Sequence, residues 1–177
     1  MKDIRQELAN IIRERCYLRG SFLLRSGKQS EEYFDKYLFE SDPVLLKRIA
    51  DAMADSIPED AEVLAGLEMG GIPLAVMLGQ LTGLPCAFVR KEAKPYGTCK
   101  LAEGAEIKHR KVVLVEDVIT SGGQVILSAN ACREHGALVD TVLCVVDRED
   151  GGREALAQSG ITLHSLFTRS ELMSAAE

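Results

Sequence analysis

Glu116 and Asp117 are adjacent carboxylates at the end of the apolar run Val112-Val113-Leu114-Val115, and Thr120, Ser121, Gly122 and Gly123 follow shortly after. An ionised carboxylate only accepts hydrogen bonds, and bonds to a charged acceptor are roughly twice as strong as neutral ones. Two such groups side by side suit the vicinal hydroxyls of a sugar. Small hydroxyl and glycine residues that open a helix offer donors, backbone N–H groups and the positive end of the helix dipole to an anion such as a phosphate. Residues 112–123 can therefore hold sugar hydroxyls and a phosphate next to each other.

Other uses of this pattern are open to test in the same sequence. An aspartate after a strand can simply cap the next helix. It can also hold magnesium in a nucleotide hydrolase, which requires G-x-x-x-x-G-K-[ST] elsewhere. That motif is absent, since Gly27-Lys28 is followed by Gln29, and no G-x-G-x-x-G dinucleotide fingerprint occurs.

The elements that must position these groups follow from periodicity. Ile4, Leu8, Ile11 and Ile12 recur at helical spacing, predicting a helix over 2–18. Residues 21–24 and 32–38 are short extended candidates around a polar turn. Asp42-Pro43 starts a second helix, with Leu45, Leu46, Ile49, Met53 and Ile57 on its buried face. Strands at 62–66, 86–90, 111–116, 138–147 and 161–167 then alternate with helices at 71–82, 122–135 and 152–159. Such alternation implies an α/β fold with a central parallel sheet covered on both faces. Ligands bind such sheets outside the carboxyl ends of the strands, where Glu116 and Asp117 fall. The long polar segment 94–110 is expected to be a mobile lid.

The 177 residues suit one domain, and a chain of this size can bury a core without staples. The net charge of −6 argues against a nucleic-acid surface. Five scattered cysteines without a C-x-x-C pair are expected to be reduced thiols of a cytoplasmic protein. His109, His135 and His164 have no zinc spacing, and no apolar run reaches the ~18 residues of a membrane span.

Residues 112–123 resemble the phosphoribosyl-diphosphate signature of type I phosphoribosyltransferases. Three further segments resemble the orotate phosphoribosyltransferases among them. Arg90-Lys91-Glu92-Ala93-Lys94-Pro95-Tyr96-Gly97 is similar to their catalytic lid. Arg25-Ser26-Gly27 with Tyr33-Phe34-Asp35 is similar to their amino-terminal hood, and Asp147-Arg148-Glu149-Asp150-Gly151-Gly152 to their base-recognition segment. The resemblance implies a core over about 41–165, with a small hood built from about 1–40 and the carboxyl-terminal segment. It implies transfer of a phosphoribosyl group to orotate in pyrimidine synthesis, with Lys94, Glu116 and Asp117 as the catalytic groups.

Donor contacts are expected from Arg25, Met69, Gly70, Arg90, Lys91, Lys94 and Tyr96, and from the run Glu116, Asp117, Val118, Ile119, Thr120, Ser121, Gly122, Gly123 and Gln124. Orotate contacts are expected from Tyr33, Phe34, Thr120 and Arg148. The resemblance also implies Mg²⁺ held mainly by the substrate, and a homodimer in which Arg90 and Lys94 reach the neighbouring site. The chain departs from the family pattern at three points. Tyr96 stands where many members carry histidine, Arg25 where the hood often has lysine, and Met69-Gly70 where longer members have Tyr-Lys. Two alternatives remain at this level: a phosphoribosyltransferase for another base, and a non-catalytic regulator that binds phosphoribosyl diphosphate.

Overall fold

A computed structural model of the chain describes residues 2–23, 27, 29–91 and 101–174. The amino-terminal elements are α1 (Lys2–Cys16), the antiparallel hairpin β1 (Tyr17–Leu23) and β2 (Gln29–Phe34), and the short α2 (Tyr37–Glu40). They are followed by α3 (Pro43–Ala54), β3 (Val63–Leu67), α4 (Gly71–Thr82), β4 (Cys86–Val89) and β5 (Ala102–Gly104). The chain continues through β6 (Lys111–Ile119), α5 (Gly123–Glu134), β7 (Leu138–Asp147), α6 (Gly152–Gln158), β8 (Thr162–Thr168) and α7 (Arg169–Ser174). The main sheet has the order β5-β4-β3-β6-β7-β8, so the acid-bearing β6 is central.

The sheet is parallel except for β5, which pairs antiparallel with β4 at the edge. Because successive side chains of a strand point to opposite faces, the unbroken apolar run in β6 serves two cores at once. Val113 and Val115 pack with Ile12, Ile49, Leu74 and Leu78 on the face covered by α1, α3 and α4. Val112 and Leu114 pack with Val125, Ala129 and Leu156 on the face covered by α5 and α6. Each such fully buried side chain contributes roughly 1.5–3 kcal/mol relative to exposure. The helix expected at Asp42-Pro43 forms as its cap chemistry predicts: Asp42 Oδ1 accepts from the amides of Val44 and Leu45, each at 3.0 Å.

Three expectations need correction. Residues 101–110 are not lid: Ala102–Gly104 is the edge strand, and Leu101 and Ile107 are buried on the α5 side of the sheet. The polar residues of that segment concealed two apolar anchors. The 94–100 portion of the expected lid lies outside the described residues. The extended stretch at 32–38 stops at Phe34, because Asp35 Oδ1 accepts from the amide of Tyr37 at 3.1 Å and turns the chain into α2. The strand expected to end at Glu116 runs on to Ile119, held by pairing of Val118 with Val146 and Ile119 with Asp147.

Candidate active site

Four strand ends converge around the acid pair. Gly66 of β3 lies beside Val115 of β6, Leu67 beside Val89 of β4, and Ile119 of β6 beside Asp147 of β7. The backbone bonds continue past the strands, with Glu68 N donating to Val89 O at 2.9 Å and Arg148 N to Ile119 O at 2.8 Å. The segments 68–71, 90–91, 116–123 and 147–152, separate in the sequence, thus share one rim of the sheet.

Asp117 is wholly buried beneath this rim, while Glu116 is half-buried beside it. Glu116 Oε1 accepts from the Asp117 amide at 3.0 Å, and Asp117 Oδ1 accepts from Val118 N at 2.5 Å. Lys36, in the turn before α2, brings its ammonium to 2.5 Å from Asp117 Oδ2. Burial and the neighbouring Asp117 charge push the Glu116 carboxyl well above the usual carboxylate range. Burial acts the same way on Asp117. Its hydrogen bonds with Glu116 and Lys36, together with the Lys36 charge, overcome that and hold it below its ordinary value. Two adjacent carboxyls in so confined a space cannot both ionise cheaply, so their titrations are linked, with Glu116 pushed up and Asp117 held down.

The turn after β3 approaches the acids closely enough to exclude any side chain. A methyl group built on Gly70 would fall on Asp117 Oδ2 and lie 2.7 Å from Glu40 Oε1. One built on Gly71 would strike the Val115 carbonyl. The Glu68–Met69 peptide before them is cis, and Met69 is exposed. Glu68 Oε1 accepts from the Lys91 amide at 2.7 Å, tying this turn to the end of β4.

On the other side of the pair, Thr120 and Ser121 are exposed and Gly122 adopts φ 75° at the start of α5. A glycine there leaves the first-turn amides of a twelve-residue helix without a side-chain cap, facing solvent beside two hydroxyls. Val118 and Ile119 are strand residues; Ile119 is buried and Val118 half-buried, so any contact they offer at the rim is through backbone. Gln124 is exposed in the first turn of α5. Gly152 at the start of α6 sits against the loop: a methyl there would strike Thr120 O and lie 2.8 Å from Ile119 Cγ2.

Arg148 is half-buried at the end of β7, and its Nε is buried without a hydrogen-bond partner. The segment that carries it is fixed from both sides. Glu149, at φ 59°, accepts from Ser170 N at 2.8 Å, and Arg153 Nε donates to the buried Asp147 at 3.2 Å. Tyr17 from the hairpin has a buried hydroxyl; burial pushes its pKa up, with Arg148 and Arg169 pulling it down. Arg90 is half-buried with its Nε also unpartnered, and Lys91 is exposed.

Phe34 departs from its expected part. Its ring is buried, 4.9 Å edge-on from Tyr17 and 6.4 Å from Phe39, so it is a core group with no ring edge to offer a base. Tyr33 is exposed and stacks on Phe22 at 5.5 Å. Arg25, Lys94 and Tyr96 lie outside the described residues. Sequence reasoning missed Lys36, Glu40, Glu68 and Tyr17. None belongs to a local motif, and only the approach of the hairpin and the β3 turn to β6 and β7 identifies them. A cleft of about 590 Å³ near Lys111, Asp140 and His164 is at the amino ends of the strands, away from the acids.

The comparisons agree with this geometry. Residues 39–161 match the phosphoribosyl transferase domain family. An orotate phosphoribosyltransferase of a Nocardioides species is 51% identical over 162 residues, covering 92% of this chain and 90% of that protein. One from Methanocella arvoryzae is 47% identical, covering 87% and 88%. Among solved structures, Mycobacterium tuberculosis orotate phosphoribosyltransferase in complex with 5-phospho-alpha-D-ribosyl 1-diphosphate superposes with a TM-score of 0.83 at 28% identity, over 96% of this chain and 99% of that one. With its rim of acids, hydroxyl–glycine loop and arginine on a mixed sheet of this order, the chain belongs to the orotate phosphoribosyltransferase family.

Proposed function

We infer that this protein transfers the 5-phosphoribosyl group from phosphoribosyl diphosphate to orotate, giving orotidine 5′-monophosphate and pyrophosphate in pyrimidine nucleotide synthesis. The observation that carries the reading is the rim itself. Glu116 and Asp117 lie at one end of a short run whose other end is the uncapped start of α5, and Arg148 is hydrogen-bonded into the same strand at Ile119. Sugar, phosphate and base can then be held by neighbouring parts of one surface.

In the reaction the C1–O bond to the diphosphate breaks, its electron pair leaves with the diphosphate, and N1 of the base bonds to C1 while the N1 proton passes to the diphosphate or to water. Positive charge grows on the ribose ring and negative charge on the leaving group. The charge of the acid pair, close to the 2′ and 3′ hydroxyls, orients the ring and favours the first. The backbone amides around Met69, Gly70 and Gly71, with Arg90, Lys91 and Lys94, act on the second. Thr120, Ser121, Gly122, Gly123 and Gln124 hold the 5′-phosphate. Lys94 is the group whose effect falls on the transition state, so Lys94→Ala should lower kcat by about 10²–10³-fold with a smaller change in donor affinity. Single-turnover kinetics alongside donor titration would check that split.

Among the described residues no group of three or more His, Cys, Asp or Glu is arranged to hold a metal ion. A protein cage is not what Mg²⁺ needs here, since it commonly binds through substrate phosphates and keeps its waters. The amide-rich turn at 69–71 fits a diphosphate carrying such an ion, and bound Mg²⁺ would neutralise charge on the leaving oxygens. We further propose a homodimer sharing Arg90 and Lys94 across subunits, in the cytoplasm, where the free thiols of Cys16, Cys86, Cys132 and Cys144 would persist. No described helix is long and apolar enough to cross a membrane. The hood of about 1–40 with the carboxyl-terminal segment forms one domain with the core. Leu8 and Ile12 of α1 support this, since they belong to the same buried cluster as Ile49, Leu74 and Val113 of the core.

The direct test is incubation with phosphoribosyl diphosphate, Mg²⁺ and a panel of bases. Orotate consumption with matching pyrophosphate release is expected, and turnover with another base or none at all would overturn the reading. Arg148 supplies the base preference, because a guanidinium pairs with a carboxylate through two parallel bonds. Arg148→Ala should raise the KM for orotate by about tenfold to a hundredfold, leaving donor KM near its starting value. Unchanged orotate kinetics in that variant would remove Arg148 from the base site.

A further inference from the structure

Lys36 is bound into the acid pair, yet no motif of the chain accounts for it. It comes from the amino-terminal hairpin side, whereas Asp117 belongs to the central strand, so the 2.5 Å contact joins the hood to the core at the acid pair. About a third of the Lys36 side chain is exposed and none of Asp117. Four residues on, Glu40 brings a third carboxyl: its Oε1 is buried without a hydrogen-bond partner, beside the same Gly70 that touches Asp117.

The groups facing Asp117 are therefore Glu116 from its own strand, Lys36 and Glu40 from the turn and helix above, and the bare backbone of Gly70. Asp35 is the next charge beyond Glu40. Among the described residues named here, Lys36 is the one cation. The neighbours of Asp117 behave as this arrangement requires. Burial, followed by its contact with Asp117, pushes the Glu40 carboxyl up, and contact with Asp117 raises Lys36 despite burial pulling the other way.

We propose that Lys36 is a positioning residue for donor binding: its ammonium anchors the Asp117 carboxylate in the orientation and charge state that accept hydrogen bonds from the ribose diol. The proposal rests on the reading of Glu116 and Asp117 as diol-binding acids. Without Lys36, three carboxyls would compete for protons in one partly buried space, and a protonated Asp117 would meet the diol with one of its acceptors converted to a donor.

Lys36→Met keeps the aliphatic stem and removes the charge, while Lys36→Arg keeps a charge. The Met variant should show a donor KM raised about tenfold to a hundredfold, with orotate KM little changed. The acid limb of its kcat/KM profile should move to higher pH, because loss of a neighbouring cation raises the Asp117 pKa. The Arg variant should restore most of both, and remains informative if the Met variant does not fold. Carboxyl ¹³C titration of the free protein reads the same coupling without substrate, where the Asp117 midpoint should rise in Lys36→Met. A folded Met variant with unchanged donor KM, acid limb and Asp117 titration would overturn the proposal. So would an Arg variant that folds but loses donor affinity as badly as the Met variant. A wild-type protein that turns over no orotate would instead sink the functional reading, leaving the Asp117 titration to decide the coupling between Lys36 and Asp117.

Discussion

Gly70→Ala should reduce kcat/KM for phosphoribosyl diphosphate by about 10²-fold or more, although it adds one methyl group and removes no functional side chain. The new carbon would fall on Asp117 Oδ2 and press on Glu40 Oε1, so either the turn at 68–71 retreats or the carboxylate leaves its place. Neither group can yield alone. Asp117 is fully buried and held by Val118 N and Lys36, and the turn is tied to β4 by the bonds from Glu68 to Val89 and Lys91. Displacement of about 1 Å at a reacting centre costs roughly 10²-fold. Overpacking should also cost about 1–3 kcal/mol of stability. Steady-state kinetics together with thermal or denaturant unfolding would separate the two effects. A variant with near-normal kinetics would show that the turn moves freely and that its approach to Asp117 is not needed for donor binding.

Asp117→Asn should lower donor affinity by about tenfold to a hundredfold, as expected for the loss of hydrogen bonds to a charged acceptor. The pH response offers a sharper test than the magnitude. The Asp117 charge is a main reason, after burial, that the Glu116 carboxyl is raised, so removing it should let Glu116 ionise at lower pH. Glu116 then takes over part of the acceptor role, and Glu116→Gln combined with Asp117→Asn should be worse than either change alone. The same sign governs stability. A carboxyl raised in the folded state binds its proton more tightly there than in the unfolded chain, so stability falls as pH rises from the ordinary carboxylate range toward the raised folded value. In Asp117→Asn that fall should end at lower pH and be smaller. Lys36 loses its partner, but a third of its side chain already meets solvent, so the cost should stay below the roughly 3–5 kcal/mol of a fully buried orphaned charge. Isothermal titration with the donor, and urea unfolding at several pH values, would measure both. Donor affinity unchanged in the double variant would remove the acids from the sugar site.

Both predictions depend on contacts that no local reading of the chain contains. The alternation of strands and helices was legible because every central strand buries both faces and reads as an unbroken apolar run, β6 and β7 above all. The hydroxyl–glycine loop and its helix were legible because helix starts and left-handed turns have local chemistry, as the φ of 75° at Gly122 bears out. The carboxyl end of β6 was not. Two acids ordinarily end a hydrophobic strand, and only the ladder to Val146 and Asp147 on β7 carries this one three residues further. β5 was hidden for a related reason: a three-residue edge strand has too short a pattern to recognise, and its existence depends on pairing with β4.

The amino-acid sequence by itself determined the class of fold, the acid pair, the hydroxyl–glycine loop and the groups proposed to face a base and a diphosphate. These are matters of residue type and short-range order, encoded within a few positions of one another. The tertiary structure alone decided the state of those groups. Asp117 is held below its ordinary value with Lys36 arriving from the hairpin, whereas burial and Asp117 push the Glu116 carboxyl up. Phe34 becomes core because Tyr17 and Phe39 close over it, and Gly70 has no room for a side chain because an acid from another strand fills that space. Charge state and close approach are sums over neighbours from different parts of the chain. They are settled only when the strand ends meet on one rim.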